Sequence, residues 1–165
     1  MSRKRSHFAF SVFAAACLIL ALGLAGSAGA ADWRTLTPLP DDLKIEPPGP
    51  GVSPSVARLS GVWQGELAPA CPYRATTVVV EKLGLEGVTA VYSWGETADY
   101  SWGYERVVPG WRRVTGTIQG DRIVLKLGEP PHDSTMYLDT RDGKRAFAES
   151  VEKKDTWRGW LWKKE

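Results

Sequence analysis

From Gly61 onward the chain is cut into short apolar runs separated by turn residues. The runs are Gly61–Leu67, Ala75–Leu83, Val88–Trp94, Trp111–Gln119, Arg122–Leu127, Thr135–Asp139, Arg145–Glu152 and Trp157–Lys163. Their β-branched and aromatic content, broken by glycine-bearing turns, predicts strands. Several alternate with a period of two: Ile123, Leu125 and Leu127 oppose Val124 and Lys126, and Phe147 and Val151 oppose Ala146, Ala148 and Ser150. Gly120-Asp121 and Asp142-Gly143 are tight-hairpin signals, because both residue types tolerate positive φ. No apolar pattern of period 3.6 persists beyond two turns, which excludes crossover helices and a parallel sheet. About eight antiparallel strands joined by hairpins leave two raw edges unless the sheet closes. The expected fold is therefore all-β, a single up-and-down antiparallel barrel whose first and last strands pair. Trp63 would plug one end. The apolar run of Trp157, Trp160 and Trp162 would close the seam, with Trp160 and Trp162 filling the interior or an end. Gly61, Gly65, Gly116 and Gly159 are sites where bulges are expected.

Two segments precede this pattern. In residues 1–30, Arg3, Lys4 and Arg5 lead into the apolar stretch Phe8 to Leu24, and Ala28-Gly29-Ala30 follows, as in a secretory signal cleaved after Ala30. The competing reading is an uncleaved anchor, the one route by which a membrane would enter. Residues 31–58 carry six of the eleven prolines and are expected to form an extended arm. Leu36, Leu39, Leu43, Ile45 and Trp33 give that arm something to dock with. Residues 59–165 would be the barrel domain. Thr76 to Val80 is apolar or neutral on both faces, which suits a barrel whose outside is partly covered.

Charge and cysteine narrow the class. The chain has 21 basic and 19 acidic residues, and three of the basic ones lie in the expected signal. The remaining chain, with eighteen basic and nineteen acidic residues, gives no reason to expect nucleic acid as a partner. Cys17 lies in the signal, so Cys71 would be unpaired and no internal disulfide framework is expected. The expected location is periplasmic or secreted.

Gly61-Val62-Trp63 at the start of an eight-run meander resembles the calycins, the lipocalin and avidin barrels, whose first strand carries a Gly-x-Trp. Ile45-Glu46-Pro47-Pro48, Ser60-Gly61-Val62-Trp63, Val79-Val80-Glu81, Val91-Tyr92-Ser93-Trp94-Gly95 and Gly110-Trp111 are similar to a β-rich domain of secreted bacterial proteins, sometimes found beside α/β-hydrolases. The resemblance implies a barrel with an internal or end-on pocket. It also implies a basic residue of the last strand packed over the tryptophan, and Arg158 matches that residue by type.

Candidate chemistry is sparse. His132 is the one histidine after residue 30, and Ser93 and Ser101 stand in Tyr-Ser-Trp-Gly, not in a glycine elbow around a nucleophile. No catalytic residue is assigned. No metal and no cofactor are expected, since one histidine and one cysteine do not make a zinc site and His132 beside two prolines is a poor haem ligand. Glu81 interrupts an apolar strand, so it faces solvent, meets a cross-strand arginine such as Arg113, or contacts a ligand. Glu96 and Asp99 have no spacing that makes them an acid/base pair. The aromatics are the strongest signal: Tyr92, Trp94, Tyr100, Trp102, Tyr104 and Trp111 fall within twenty residues, around a long break from Gly95 to Gly110.

These observations lead to an exported, non-enzymatic barrel that holds a small apolar or ring-bearing ligand. Tyr92, Trp94, Trp102, Tyr104 and Trp111 would form the walls, Glu81 and Arg113 the polar contacts, and Gly61, Trp63 and Arg158 the structural framework. A second reading is a packed barrel whose proline-rich arm and loop bind another protein or the cell wall. A third, suggested only by the hydrolase-associated neighbours of similar domains, is an enzyme acting on a polysaccharide or ester.

Overall fold

Eight antiparallel strands close on themselves in a computed structural model that describes residues 37–68, 74–96, 107–128, 133–152 and 155–165. They are β1 (Gly61–Leu67), β2 (Arg74–Gly84), β3 (Gly87–Trp94), β4 (Gly110–Gln119), β5 (Arg122–Lys126), β6 (Ser134–Thr140), β7 (Arg145–Glu152) and β8 (Asp155–Lys164). Each pairs with its neighbour in sequence, and β8 returns to pair with β1. The closed eight-stranded barrel expected from the meander is thus present, with strand ends within two residues of those read from the alternation. Expectations that concern residues 1–36, including the signal and Cys17, lie outside the described residues. So do those on Cys71, Asp99 to Tyr104 and His132.

The register carries one inward row around the ring. Trp63 stands opposite Val78, Val78 opposite Tyr92, and Tyr92 opposite Arg112. Further round, Leu125 faces Met136, Met136 faces Ser150, and Ser150 faces Trp157. Ile123, Leu125, Leu138, Ala148 and Leu161 are buried in this interior with Trp63, Val78, Val80 and Val114. The period-two pattern of β5 and β7 therefore reports the true inner face: Ile123 and Leu125 point in, and so do Ala146 and Ala148.

One end is plugged. The single-turn helix α1 (Pro54–Ala57) starts with Pro54 at its first position, and the Ser53 hydroxyl accepts from the Val56 N–H. It buries Val56 and delivers Leu59, which is fully enclosed. Trp63 donates its indole N–H to the Leu59 carbonyl at 2.7 Å, so the indole is buried without an unpaired polar atom. Lys163 of β8 lies with Nζ 5.2 Å from the Trp63 ring centroid and donates to the Arg58 carbonyl at 2.8 Å. The basic residue over the tryptophan is Lys163. Arg158, the expected match, pairs with Glu149 on the outer face, because residues one apart from the inward Gly159 point outward. Ser55 donates to Asp121 and Arg58 to the Arg141 carbonyl, which ties the plug to two hairpin turns.

The strand glycines do something other than expected. The one register shift falls between Val80 and Lys82, where Glu81 is the extra residue. Gly65 and Gly159 instead permit close approach at the β1–β8 seam. A methyl on Gly159 would overlap the Glu66 carbonyl oxygen, and one on Gly65 that of Trp160. Gly61 has φ +111°, a conformation L side chains rarely adopt. Trp160 and Trp162 also depart from expectation: they face outward, 47% and 51% exposed, since the register gives the inward positions of β8 to Trp157, Gly159 and Leu161.

Gly159→Ala should destabilise the protein by about 1–3 kcal/mol, the usual range for forcing atoms into a packed site. A urea titration monitored by tryptophan emission should show a lower midpoint with an unchanged slope.

Candidate binding site

The arm accounts for the apolar outer face of β2 and β3. Thr77, Val79, Val91 and Ser93 point away from the barrel interior yet are fully buried. The Thr37 and Thr77 hydroxyls are 2.8 Å apart, and Ser93 donates to the Pro38 carbonyl at 2.5 Å. Further along, the Glu46 N–H donates to the Glu81 carbonyl and the Gly49 N–H to the Leu83 carbonyl, where β2 runs past the end of β1. The arm thus covers a length of strand edge that β1 leaves open. Leu39 and Leu43 are half-buried along it, while Ile45 is exposed.

Glu81 and Arg113 belong to this arm contact. Arg113 Nε donates to Glu81 Oε2 at 2.7 Å and Nη2 to Oε1 at 3.1 Å, while Nη2 also reaches Asp42 Oδ1 at 3.1 Å. The Lys44 backbone N–H donates to Glu81 as well. A carboxylate that is 8% exposed is tolerated because a bidentate guanidinium covers it. The two carboxylates hold Arg113 above its ordinary pKa, and Arg113 holds Asp42 below its own. These side chains stand on the outer face and do not line the interior cavity, so the polar contacts of any ligand held there must come from elsewhere.

At the end opposite the plug the interior is hollow. A cavity of about 260 Å³ is lined by Leu67, Tyr92, Trp94, Leu127 and Trp157 as apolar walls, with Arg74, Arg112 and Glu152 among the polar groups. It lies beyond the packed row of Val78, Leu125 and Met136, where Leu127 and Ser134 are the next inward residues after Leu125 and Met136 and Arg74 stands two inward positions past Val78. Two guanidiniums are fixed by stacking: Arg74 lies 4.5 Å from the Trp157 ring centroid and Arg112 lies 5.2 Å from that of Trp94. Arg112 also donates to the Leu127 carbonyl at 2.7 Å. The Ser134 and Ser150 hydroxyls lie 3.3 Å apart. Burial pushes the Tyr92 phenol above its ordinary pKa; Arg74 opposes this through a hydrogen bond and its charge. The phenol is therefore protonated at neutral pH and can donate. Among the described residues, Arg74 Nε is the one buried side-chain nitrogen or oxygen without a hydrogen-bond partner.

Of the aromatics singled out in the sequence, Tyr92 and Trp94 stand together in the cavity wall, with ring centroids 5.5 Å apart. Trp111 faces outward and is 42% exposed, because it pairs with Ser93, whose side chain lies under the arm. Trp102 and Tyr104 lie outside the described residues. Arg74, Arg112 and Glu152 are not recognisable as site residues from the sequence. Their positions alternate correctly with the apolar inner row, but a charged residue at an inward parity looks like a strand end. Among the described residues no group of three or more histidine, cysteine or acidic side chains could hold a metal ion.

The arm contact has a pH signature. The Asp42 pKa is below the ordinary 3.8, so its pairing with Arg113 contributes fully above that value and is lost as pH falls through the lower folded value. Protease cleavage within residues 40–50 should therefore stay slow down to about pH 4 and rise below it. Arg113→Met should raise that cleavage at neutral pH and lower the urea midpoint, because it leaves the buried Glu81 carboxylate without its cation. A comparison with protein-family models, with curated proteins and with solved structures found no match to this chain.

Proposed function

We propose that this chain is an exported, small-ligand-binding barrel of the calycin kind, acting by binding without catalysis. The observation that carries the reading is the cavity: about 260 Å³ of open interior above a packed floor, walled by Trp94 and Trp157 and supplied with a few converging polar groups. It stands just below the roughly 300–1,000 Å³ common for ligand pockets, so a small ring-bearing molecule is the matching size class. Lys163 over Trp63, together with the Gly61-Val62-Trp63 strand start, supports the calycin kinship. Export rests on the signal-like residues 1–30, and protein recovered from the envelope should begin at Ala31 by intact mass.

A titration of intrinsic fluorescence tests the binding claim. Ring-bearing metabolites should quench or shift the tryptophan emission, and Leu127→Trp, which fills the cavity, should abolish the response while the far-ultraviolet dichroism is kept. No response across a panel of apolar and aromatic small molecules, with the protein folded, overturns it.

One observation favours a second reading, an interaction surface for an envelope protein. Trp160 and Trp162 are exposed on the outer face of β8, with Phe147 packed edge-on to Trp160 and Arg145 above the same ring. Exposed aromatics beside an arginine are the composition of contact hot spots. Pull-down from envelope extracts that is lost in a Trp160→Ser, Trp162→Ser double variant would favour this reading over the first.

A further inference from the structure

Resting on the small-ligand reading, we propose that the cavity takes a monocarboxylate with a flat aromatic body, its carboxylate held by Arg74 and Arg112 and its rings lying against Trp94 and Trp157.

The charge pattern selects an anion. Among the described residues, two guanidiniums and one carboxylate, Glu152, line the same cavity, leaving one positive charge over. A monoanion neutralises that excess; a dianion would overshoot it inside a partly desolvated site. An amine would meet two like charges at the same wall. Geometry makes the two arginines receptors and not rim decoration. Each is braced on a tryptophan face, and Arg112 is further fixed by its bond to the Leu127 carbonyl, so little side-chain freedom is lost when a ligand arrives. Planar guanidinium donors match the two oxygens of a carboxylate.

The unpartnered Arg74 Nε is the independent sign of a missing acceptor. Buried donors are almost always satisfied, and one left open in a cavity wall points to a group that arrives from outside the chain. Tyr92 supplies a neighbouring hydroxyl that stays protonated and can donate to the same oxygen pair. Among the described residues, Leu67, Leu127 and the two indoles offer apolar surface for the body of the ligand, with no charge beyond Arg74, Arg112 and Glu152.

The test compares two probes of nearly equal shape, 2-naphthoate and 2-naphthamide, by isothermal titration to the wild-type chain, Arg74→Gln and Arg112→Gln. The expected result is that naphthoate binds the wild type at least about ten-fold more tightly than the amide, the scale of a hydrogen bond to a charged group. Each glutamine variant should remove most of that difference while leaving amide affinity within about two-fold, so the amide doubles as the control for folding. Equal affinity for both probes, unmoved by either variant, overturns the carboxylate proposal and leaves the small-ligand reading standing. Competition by inorganic phosphate as effective as by naphthoate also overturns it, because the site would then read an oxyanion without an aromatic body. Failure of both probes to bind the folded protein overturns this proposal and counts against the reading it rests on.

Discussion

Everything in this molecule depends on a register that keeps one inward row all the way round a closed ring. From Trp63 through Val78, Tyr92 and Arg112 on one side, and back through Met136, Ser150 and Trp157 on the other, each pairing preserves the parity of the last. A slip of one residue in any pair would turn apolar residues to water and charges to the core. Closure is the most demanding step, because β8 must meet β1 without backbone collision. Gly65 and Gly159 provide the clearance there, which is why this seam carries glycine where a side chain would strike a carbonyl. The one irregularity, at Glu81, falls where β2 outruns β1 and the arm takes over the open edge.

The same inward row does two different things at its two ends. Near α1 it is bulky and apolar, and the Trp63 indole, held by Leu59 and covered by Lys163, leaves no room. Toward the opposite end the inward residues become arginine, tyrosine, serine and glutamate among tryptophans, and space opens between them. A barrel of this size cannot be hollow throughout and remain stable, since a buried side chain of valine size or larger contributes about 1.5–3 kcal/mol. A packed floor under a hollow mouth reconciles the two demands. Guanidiniums stacked on indoles also hold charge at the mouth without collapsing it.

The arm shows how an apolar outer face is made harmless. Thr77, Val79, Val91 and Ser93 would be a sticky exterior stripe on a bare barrel. Proline-rich backbone suits the covering role because it lies extended with few donors to satisfy. The Pro38 carbonyl and the Glu46 and Gly49 N–H groups meet β2 and β3, and Arg113 bridges Asp42 of the arm to Glu81 of the barrel.

Alternation, turn residues and the Gly61-Val62-Trp63 start were enough by themselves to determine an eight-stranded antiparallel barrel and nearly all of its strand boundaries, because each is a local property of the chain. They also marked the covered face, through the two-sided apolar run from Thr76 to Val80. Which side of each strand faces in was decided only by the ring as a whole, since parity at one strand depends on the register of all the others. For that reason Trp160, Trp162 and Trp111 stand outside although their composition suggested interior or wall, and Lys163, not Arg158, covers Trp63. Glu81 and Arg113 were recognisable as a pair, but only the arm's path showed what they hold. Arg74 and Arg112 were invisible as a site for the same reason. They lie 38 residues apart on strands that are not neighbours, and only the pairing of both strands with β3 brings the two guanidiniums to one cavity.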